Sequence, residues 1–282
     1  ALLRALGSLG LQDKPLGVDG HHFWRDLAHL LNLSDDMLTD VGELLLNMRV
    51  IKDEWEQEQL AYAARLNDVG FAATQAFLRP GVTDFEAFSA AWRAMAAELG
   101  GEPLDLHGEF SGGPEISGRG GRYPCGQVLH EGDLLIADIY PVVRGYRADT
   151  TRTFVVGEPA PWQVELHAIL EEALAKGEEA IRPGLPAAQL DAIVRGHVEA
   201  HAPQGARMFH HSGHGVGIGV GVGGHWPPFI VPQSKDVLEE GMVLTLEPGL
   251  YIAGKGGMRL EDNYVVTRDG ARPLGAFPKK LA

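Results

Sequence analysis

The feature that most constrains this 282-residue chain is an apolar segment, residues 134–156, that carries two aspartates eleven positions apart. Its sequence, LLIADIYPVVRGYRADTTRTFVV, predicts two antiparallel strands joined by a glycine turn. In such a hairpin the odd separation predicts that Asp138 and Asp149 face each other, with Cβ atoms about 4.5–5.5 Å apart. Facing carboxylates between apolar strands repel each other and are costly to bury, so a divalent cation between them is one explanation. The alternative is a structural pair in which one aspartate binds Arg147 or Arg152.

Three further residues downstream complete a potential metal-ligand set. His214 lies in the glycine-rich segment HHSGHGVGIG, where the backbone can approach an ion closely. Glu247 ends an apolar run before a Pro-Gly turn, and Glu261 lies in a second apolar run beyond several glycines. These two runs predict another hairpin that carries another pair of carboxylates. Together with Asp138 and Asp149 they form an oxygen-rich set with one imidazole, which suits two divalent ions such as Mn²⁺, Co²⁺ or Zn²⁺.

An internal repeat organises the rest of the chain. The segment AFLRPGV at 76–82 recurs as EAIRPGL at 179–185, and each copy separates two predicted helices. The helices before the copies are expected at Trp55–Phe77 and Gln163–Ala180, and residues 83–86, TDFE, form a capping-box pattern that opens the next helix. Each helix pair leads to one acidic hairpin. This order predicts an α+β fold of two pseudo-symmetric halves whose sheets meet at the metal ligands, with helices covering the outside.

Composition and charge restrict the partners and the location of the protein. Hydrophobic residues make up 45% of the chain, and no apolar run is long enough to span a membrane. The single cysteine, Cys125, excludes an intramolecular disulfide and suits a reducing cytosol. The net charge of −14 argues against a nucleic-acid partner. Since no signal peptide is visible, we expect a cytoplasmic protein without membrane or nucleic-acid partners. The chain begins without a methionine, as a fragment would.

These motifs resemble the pita-bread metallopeptidases, a family of Xaa-Pro aminopeptidases, Xaa-Pro dipeptidases (prolidases), methionine aminopeptidases and creatinase. The resemblance runs from about Arg49 to the C-terminus, and the segment RVIKDEWEQEQLAYAARL is similar to the interdomain join of the Xaa-Pro branch. It implies the pita-bread fold, a curved antiparallel sheet covered by helices. The other matching segments are GDLLIADIY, GYRADTTRTF, GHGVG, LEEGMVLTLEPGLYI and RLEDNYVVT.

The N-terminal residues, 1–50, are expected to be distinct from the catalytic part. They contain a strand candidate at Leu16–Asp19 and helix candidates at Phe23–Leu33 and Val41–Met48, which are too few for an independent core. The resemblance implies that they are the remnant of an N-terminal creatinase-like domain and its linker, followed by the catalytic domain at 51–282. The alternative is an N-terminal extension packed on the catalytic domain.

The resemblance also implies roles for single residues. Glu247 would carry the proton of the attacking water to the leaving nitrogen as well as bind metal. His210 would contact the substrate, with the adjacent His211 as its rival. His225 would stabilise the tetrahedral intermediate, although the glycine-rich stretch before it is longer than usual for the family. Any one of these histidines could instead be a hydrogen-bonded structural residue.

Two more residues are expected to support the ligands. Arg259 precedes Glu261 by two positions, so strand alternation places both side chains on one face, where the guanidinium could orient the ligand carboxylates. A surface ion pair is the alternative for this arginine. Thr151 belongs to the same supporting set by resemblance only.

The chain departs from the Xaa-Pro pattern at one position. The family's upstream substrate-binding histidine would fall at about Gly121, where this chain reads SGRGGRYPC. Arg119, Arg122 and Tyr123 are the candidates to replace it. An arginine here could bind the free carboxylate of a dipeptide in two parallel hydrogen bonds, whereas a longer peptide offers only a neutral carbonyl. Both arginines could equally be solvated loop residues.

The sequence therefore predicts a two-metal exopeptidase that hydrolyses the Xaa-Pro bond of proline-containing dipeptides or peptides. We favour an Xaa-Pro dipeptidase, with an aminopeptidase P acting on longer peptides as the alternative. A non-catalytic pita-bread binding protein and metal-free creatinase chemistry agree less well with a complete ligand set. The resemblance also implies a homodimer.

Overall fold

The chain divides into two compact units, Ala1–Arg49 and Val50–Ala282. No helix in the described segments combines the length and the hydrophobicity that crossing a membrane requires. The structure is a computed structural model that describes residues 2–11, 13–19, 34, 37–218 and 224–281.

The first unit contains a small parallel sheet and flanking helices. The predicted strand forms and pairs in parallel with a second strand that was not expected, with Leu16 opposite Leu38. The predicted helix at Phe23–Leu33 lies outside the described residues. The elements are α1 (Leu2–Ser8), β1 (Leu16–Val18), β2 (Leu38–Asp40) and α2 (Gly42–Val50).

The second unit contains two pairs of long helices in the repeated order that the sequence predicts. Thr83 caps one of them: its Oγ1 accepts a hydrogen bond from the Glu86 amide at 3.1 Å, and the Glu86 carboxylate accepts one from the Thr83 amide at 2.8 Å. The predicted capping box is therefore confirmed. The helices are α3 (Glu54–Phe77), α4 (Asp84–Glu98), the short α5 (Pro114–Ser117), α6 (Pro161–Ala180) and α7 (Ala187–His201).

The described strands of the second unit form three antiparallel sheets; β3–β6 precede α6 in sequence, and β7–β13 follow α7. In the four-stranded sheet β4 is central, with β3 on one side and β5 and β6 on the other. The five-stranded sheet has the order β13-β12-β9-β7-β8, and β10 and β11 form a separate two-stranded sheet. The strands are β3 (Leu104–Gly112), β4 (Leu134–Val143), β5 (Tyr146–Arg147), β6 (Thr150–Val155), β7 (Gly213–Gly215), β8 (Trp226–Ile230), β9 (Val243–Leu246), β10 (Gly249–Ile252), β11 (Gly256–Arg259), β12 (Asp262–Thr267) and β13 (Gly270–Pro273).

The first acidic hairpin forms, but its register differs from the prediction by two residues. Its two turn residues, Arg144 and Gly145, have φ angles of 52° and 87°, as hairpin turns with both central residues at positive φ require. This turn pairs Asp138 with Thr151 rather than with Asp149. The expectation of directly facing aspartates is wrong. Because a shift of two residues keeps each side chain on its face, Asp149 remains a diagonal neighbour of Asp138.

The second acidic hairpin has the predicted arrangement. β9 and β12 pair with Leu246 opposite Asp262, and β10 and β11 continue the same register towards the turn. Extending this register by one residue places Glu247 opposite Glu261, between the two ladders. Each half of the second unit therefore ends in a hairpin that brings two carboxylates together.

Two apolar cores lie under the helix pairs, one in each half. The α+β class with two helix–helix–hairpin halves, predicted from the sequence repeat, is confirmed. The first core includes Leu60, Phe71, Met95, Phe110, Ile139 and Phe154 from α3, α4 and the four-stranded sheet. The second includes Leu166, Leu174, Val194, Leu244, Leu260 and Tyr264 from α6, α7 and the strands of the second half.

Candidate metal centre

The five residues predicted as metal ligands line one cavity of about 590 Å³. Asp138 lies within β4, Asp149 between β5 and β6, and His214 at the centre of β7, while Glu247 and Glu261 adjoin β9 and β12. Ligand atoms of Asp138, Asp149 and Glu261 lie within 4.8 Å of one another, as do those of His214, Glu247 and Glu261. The tertiary structure thus gathers a donor set that the sequence spreads over more than a hundred residues.

The electrostatics of these carboxylates fit divalent cations. All four are buried, and Asp138 Oδ1 has no hydrogen-bond partner. Burial raises the pKa of Asp149 well above its usual range, and the neighbouring carboxylates, Glu261 first, add to this rise. Burial and then Glu247 and Asp138 do the same to the pKa of Glu261. An unpaired buried oxygen and mutually repelling acids are what bound divalent ions would stabilise.

Arg259 and Thr151 connect two of these carboxylates through hydrogen bonds. Arg259 Nη2 donates a hydrogen bond to Asp138 Oδ2 at 2.5 Å, and Arg259 Nε donates one to Thr151 Oγ1 at 3.1 Å. Thr151 Oγ1 in turn donates to Glu261 Oε2 at 2.7 Å. The guanidinium thus contacts Asp138 directly and reaches Glu261 through the threonine, so both residues lie where they can fix the orientation of the carboxylates.

His210 and His211 lie on the same wall of the cavity, but they contact different partners. His210 Nε2 lies 2.9 Å from the Tyr251 hydroxyl, and its Nδ1 is 3.9 Å from Glu247. His211 Nδ1 lies 3.0 Å from Glu247 Oε1, so the rival histidine makes the shorter contact. Burial lowers the pKa of His210 to about 4. Burial also disfavours charged His211, but the close contact with the Glu247 carboxylate outweighs it and raises the pKa of His211.

His225 lies at the exposed edge of the cavity and contacts two other histidines. Its ring stacks on His214 with centroids 3.8 Å apart and meets His211 edge to face at 4.9 Å. A ligand atom of His225 also lies within 4.8 Å of atoms from Asp149 and His214. This position beside the ligands is compatible with the predicted contact to a reacting carbonyl and also with metal ligation.

The three candidates for the missing histidine differ in their positions. Arg119 lines the cavity, but its side chain is 77% exposed and lies 3.5 Å from Glu115. Tyr123 also lines the cavity. Arg122 is exposed and is not part of the cavity wall; its amide donates to Ser111 Oγ at 2.6 Å.

Glu109 is a cavity residue that the sequence did not reveal. It lies on β3 directly opposite Asp138 and 3.7 Å from the Arg259 guanidinium. A side chain at Gly121 would collide with its carboxylate. Burial, followed by the charge of Asp138, raises the pKa of Glu109. Glu109 therefore fills space beside the position where the family places its histidine, which no local pattern indicates.

The two arginines of the first hairpin do not pair with its aspartates. Arg152 is buried and forms an ion pair with Asp262 at 2.7 Å. Arg147 lines the cavity and forms no ion pair with a residue that the structure describes. The alternative in which Arg147 or Arg152 pairs with one of these two aspartates is therefore wrong. Strand alternation two residues before Asp149 could have placed Arg147 on the ligand face.

Residues 58–268 match Metallopeptidase family M24. Because this match covers most of the chain, the protein belongs to that family of metallopeptidases, which implies divalent metal ions. Its relatives place it in the Xaa-Pro peptidase branch with the pita-bread fold, and the resemblance stated from the motifs is confirmed.

Three of these relatives show how far the similarity extends. The Xaa-Pro dipeptidase of Pyrococcus horikoshii is 30% identical over 284 residues, covering 99% of this chain and 76% of its own. The probable dipeptidase PepE of Mycobacterium tuberculosis is 35% identical over 260 residues, covering 90% of this chain and 65% of its own. The solved Xaa-Pro dipeptidase from Bacillus anthracis superposes with a TM-score of 0.86 at 29% identity, covering 99% of this chain and 77% of its own.

Proposed function

We propose that this metallopeptidase is an Xaa-Pro dipeptidase (prolidase) that uses two divalent ions. The observation that carries the proposal is the single cavity lined by Asp138, Asp149, His214, Glu247 and Glu261. The names of the Pyrococcus and Bacillus relatives support the substrate class, a dipeptide ending in proline. The chain spans 65% of the length of the Mycobacterium tuberculosis relative and 76% of that of the Pyrococcus horikoshii relative.

Two ions of Mn²⁺, Co²⁺ or Zn²⁺ would be held by the four carboxylates and His214, whose donor atoms suit these metals. When bound, they activate water and polarise the scissile carbonyl. We place catalysis in residues 51–282 and assign residues 1–50 to an N-terminal creatinase-like domain and its linker. A cytoplasmic location and a homodimeric state complete the proposal.

The protein's own residues would move the proton and hold the reacting groups. Glu247 accepts the proton of the attacking water and delivers it to the proline nitrogen as the C–N bond breaks. Burial alone would raise the pKa of Glu247, but the close contact with His211 and the other nearby histidines lower it overall, so the carboxylate is ionised and can accept a proton. His225 contacts the oxygen that gains charge, and His210 contacts the substrate.

The supporting residues fix these groups in position. Arg259 and Thr151 hold Asp138 and Glu261 through the hydrogen bonds described above. Tyr123, on the cavity wall, would contact the substrate. An arginine would bind the dipeptide carboxylate; the sequence offered Arg119 and Arg122 for that role.

The test combines metal removal with two substitutions. A chelated preparation should lose Xaa-Pro dipeptide hydrolysis and regain it with added metal. Asp149→Asn should retain less metal because an anionic ligand becomes neutral, and Glu247→Gln should abolish turnover because it cannot relay a proton. Glu240→Gln, an exposed glutamate seven residues before Glu247, is the matched control. Equal rates for stripped and reconstituted protein would refute the two-metal mechanism.

Glu109 favours a second candidate, an aminopeptidase P acting on longer peptides. Its carboxylate in the cavity would repel the free carboxylate of a dipeptide, whereas a longer peptide is neutral at that position. Comparing kcat/KM for Xaa-Pro dipeptides and Xaa-Pro-containing tripeptides, with Mn²⁺, Co²⁺ and Zn²⁺ in turn, distinguishes the two. Preference for the tripeptide would identify an aminopeptidase P.

A further inference from the structure

Arg147 is a buried cation in the cavity wall that has no anionic partner within the described part of the chain. Its residue exposure is 9%. Its Nε is buried without a hydrogen-bond partner, and its guanidinium forms no ion pair with any part of the chain that the structure describes. The guanidinium carbon lies 5.6 Å from the centre of the Tyr140 ring, which also lines the cavity. A buried cation in this state is costly unless an anion binds it.

The other charges around the cavity are already matched. Arg259 contacts Asp138 at 2.5 Å and Glu109 at 3.7 Å. Arg119 is exposed and pairs with a neighbouring glutamate on its own segment. The four ligand carboxylates carry −4, which two divalent ions would neutralise. Among the described arginines of this cavity, Arg147 is therefore the one left to bind an incoming anion.

The position of Arg147 suits the end of a dipeptide. It lies two residues before Asp149, and residues two apart on an extended chain point to the same face about 6.6 Å apart. In an Xaa-Pro dipeptide the carboxylate carbon is only three bonds from the scissile carbonyl carbon, about 3–4 Å away. A side chain at Gly224, next to His225, would collide with Arg147 Nη1, so the glycine leaves space for the guanidinium.

We propose that Arg147 binds the free carboxylate of the C-terminal proline, and so determines specificity for dipeptides; this inference rests on the proposed function. The planar guanidinium donates two parallel N–H bonds from its edge to the carboxylate, and the Tyr140 ring lies beside it. Arg147 takes the role that the sequence offered to Arg119 and Arg122. Xaa-Pro-amides and longer peptides lack this contact.

The experiment compares one dipeptide with its C-terminal amide on the metal-loaded protein. Arg147→Met should raise KM for the dipeptide by roughly 30-fold or more, because one partner of a buried charge pair is removed. KM for the amide should change by less than about 3-fold, since the amide makes no ionic contact. Arg147→Lys should give an intermediate ratio. Arg144→Met, at the tip of the same hairpin and paired outside the cavity with Glu102, is the matched control.

Three outcomes overturn the proposal. The first is an equal loss on both substrates, which would make Arg147 structural. The second is an unchanged KM ratio in Arg147→Met, and the third is a shift of the ratio in Arg119→Ala or Arg122→Ala instead. If the parent protein hydrolyses neither substrate, the proposed function fails, and calorimetry with L-proline and L-prolinamide then decides the role of Arg147. Preference for L-proline that Arg147→Met abolishes supports it, and equal affinities refute it.

Discussion

Arg152→Met should be among the most destabilising single substitutions in this protein. Arg152 is 3% exposed and forms an ion pair with Asp262 at 2.7 Å. Its guanidinium also holds the segment before β12 and the C-terminal segment against β6. Besides the bond to Asp262 it donates to the main-chain oxygens of Thr151 (3.0 Å), Glu261 (2.7 Å), Phe277 (2.9 Å) and Pro278 (3.2 Å).

The structure sets the size of the effect. Breaking a buried ion pair from one side costs about 3–5 kcal/mol. Lys279 Nζ remains 2.8 Å from Asp262 after the change, so we expect the lower end, about 3 kcal/mol. The pair between Arg144 and Glu102 is of similar length, 2.6 Å, but exposed. Arg144→Met should therefore destabilise the protein far less than Arg152→Met does.

The assay is urea unfolding of both variants with a chelator present, because bound metal would add its own stabilisation. Thermal scans should place the Tm of Arg152→Met about 6 °C or more below the parent. A free energy of unfolding for Arg152→Met within about 1 kcal/mol of Arg144→Met would refute the argument that burial, rather than distance, decides the strength of the pair.

Three further predictions concern other residues. Burial lowers the pKa of Lys52 to about 8 from 10.5, so between these values the unfolded chain binds more protons and this group's contribution to stability rises with pH. Lys52→Met should remove a cost of about 3 kcal/mol that is present below pH 8. The free energy of unfolding, measured by urea titration, should therefore differ less between pH 7 and pH 9.5 in the variant than in the parent. An equal difference in both proteins would contradict this. The Asp84 carboxylate accepts backbone hydrogen bonds from three successive residues. Asp84→Asn should therefore lower the free energy of unfolding by about 1–3 kcal/mol. An unchanged stability in urea would show that these bonds are dispensable. His225→Ala should lower kcat by roughly 10²–10³-fold with a smaller effect on KM, and an unchanged kcat would leave His210 or His211 as the better candidate.

Local pattern in the sequence was enough to predict the general fold and the acidic residues that the structure brings together in one cavity. Strand alternation, glycine turns and the acidic residues that interrupt apolar runs indicate two hairpins, each with a pair of carboxylates. The capping box at Thr83 is equally local, because its donors and acceptors lie within four residues. For the second hairpin the sequence predicted the pair of carboxylates, and the structure sets the register that places Glu247 opposite Glu261.

Some features depended on a turn geometry that the sequence pattern left open. The first hairpin turns at Arg144 and Gly145, so the residue opposite Asp138 is Thr151 and not Asp149 as predicted. Its two-residue turn requires positive φ at both positions, and arginine gives no sequence signal for that conformation. The two aspartates still lie on one face because the predicted and observed registers differ by an even number of residues.

Other features exist only because distant segments pack together. Glu109 enters the cavity because β3 pairs with β4, and its carboxylate fits there because residue 121 is a glycine. His211, rather than His210, makes the shorter contact with Glu247 because of the path of the chain between α7 and β7. Among the described residues, no anion pairs with Arg147, whereas Arg259 pairs with Asp138. Electrostatic pairing depends on distances between residues that are remote in sequence, so only the tertiary structure decides it.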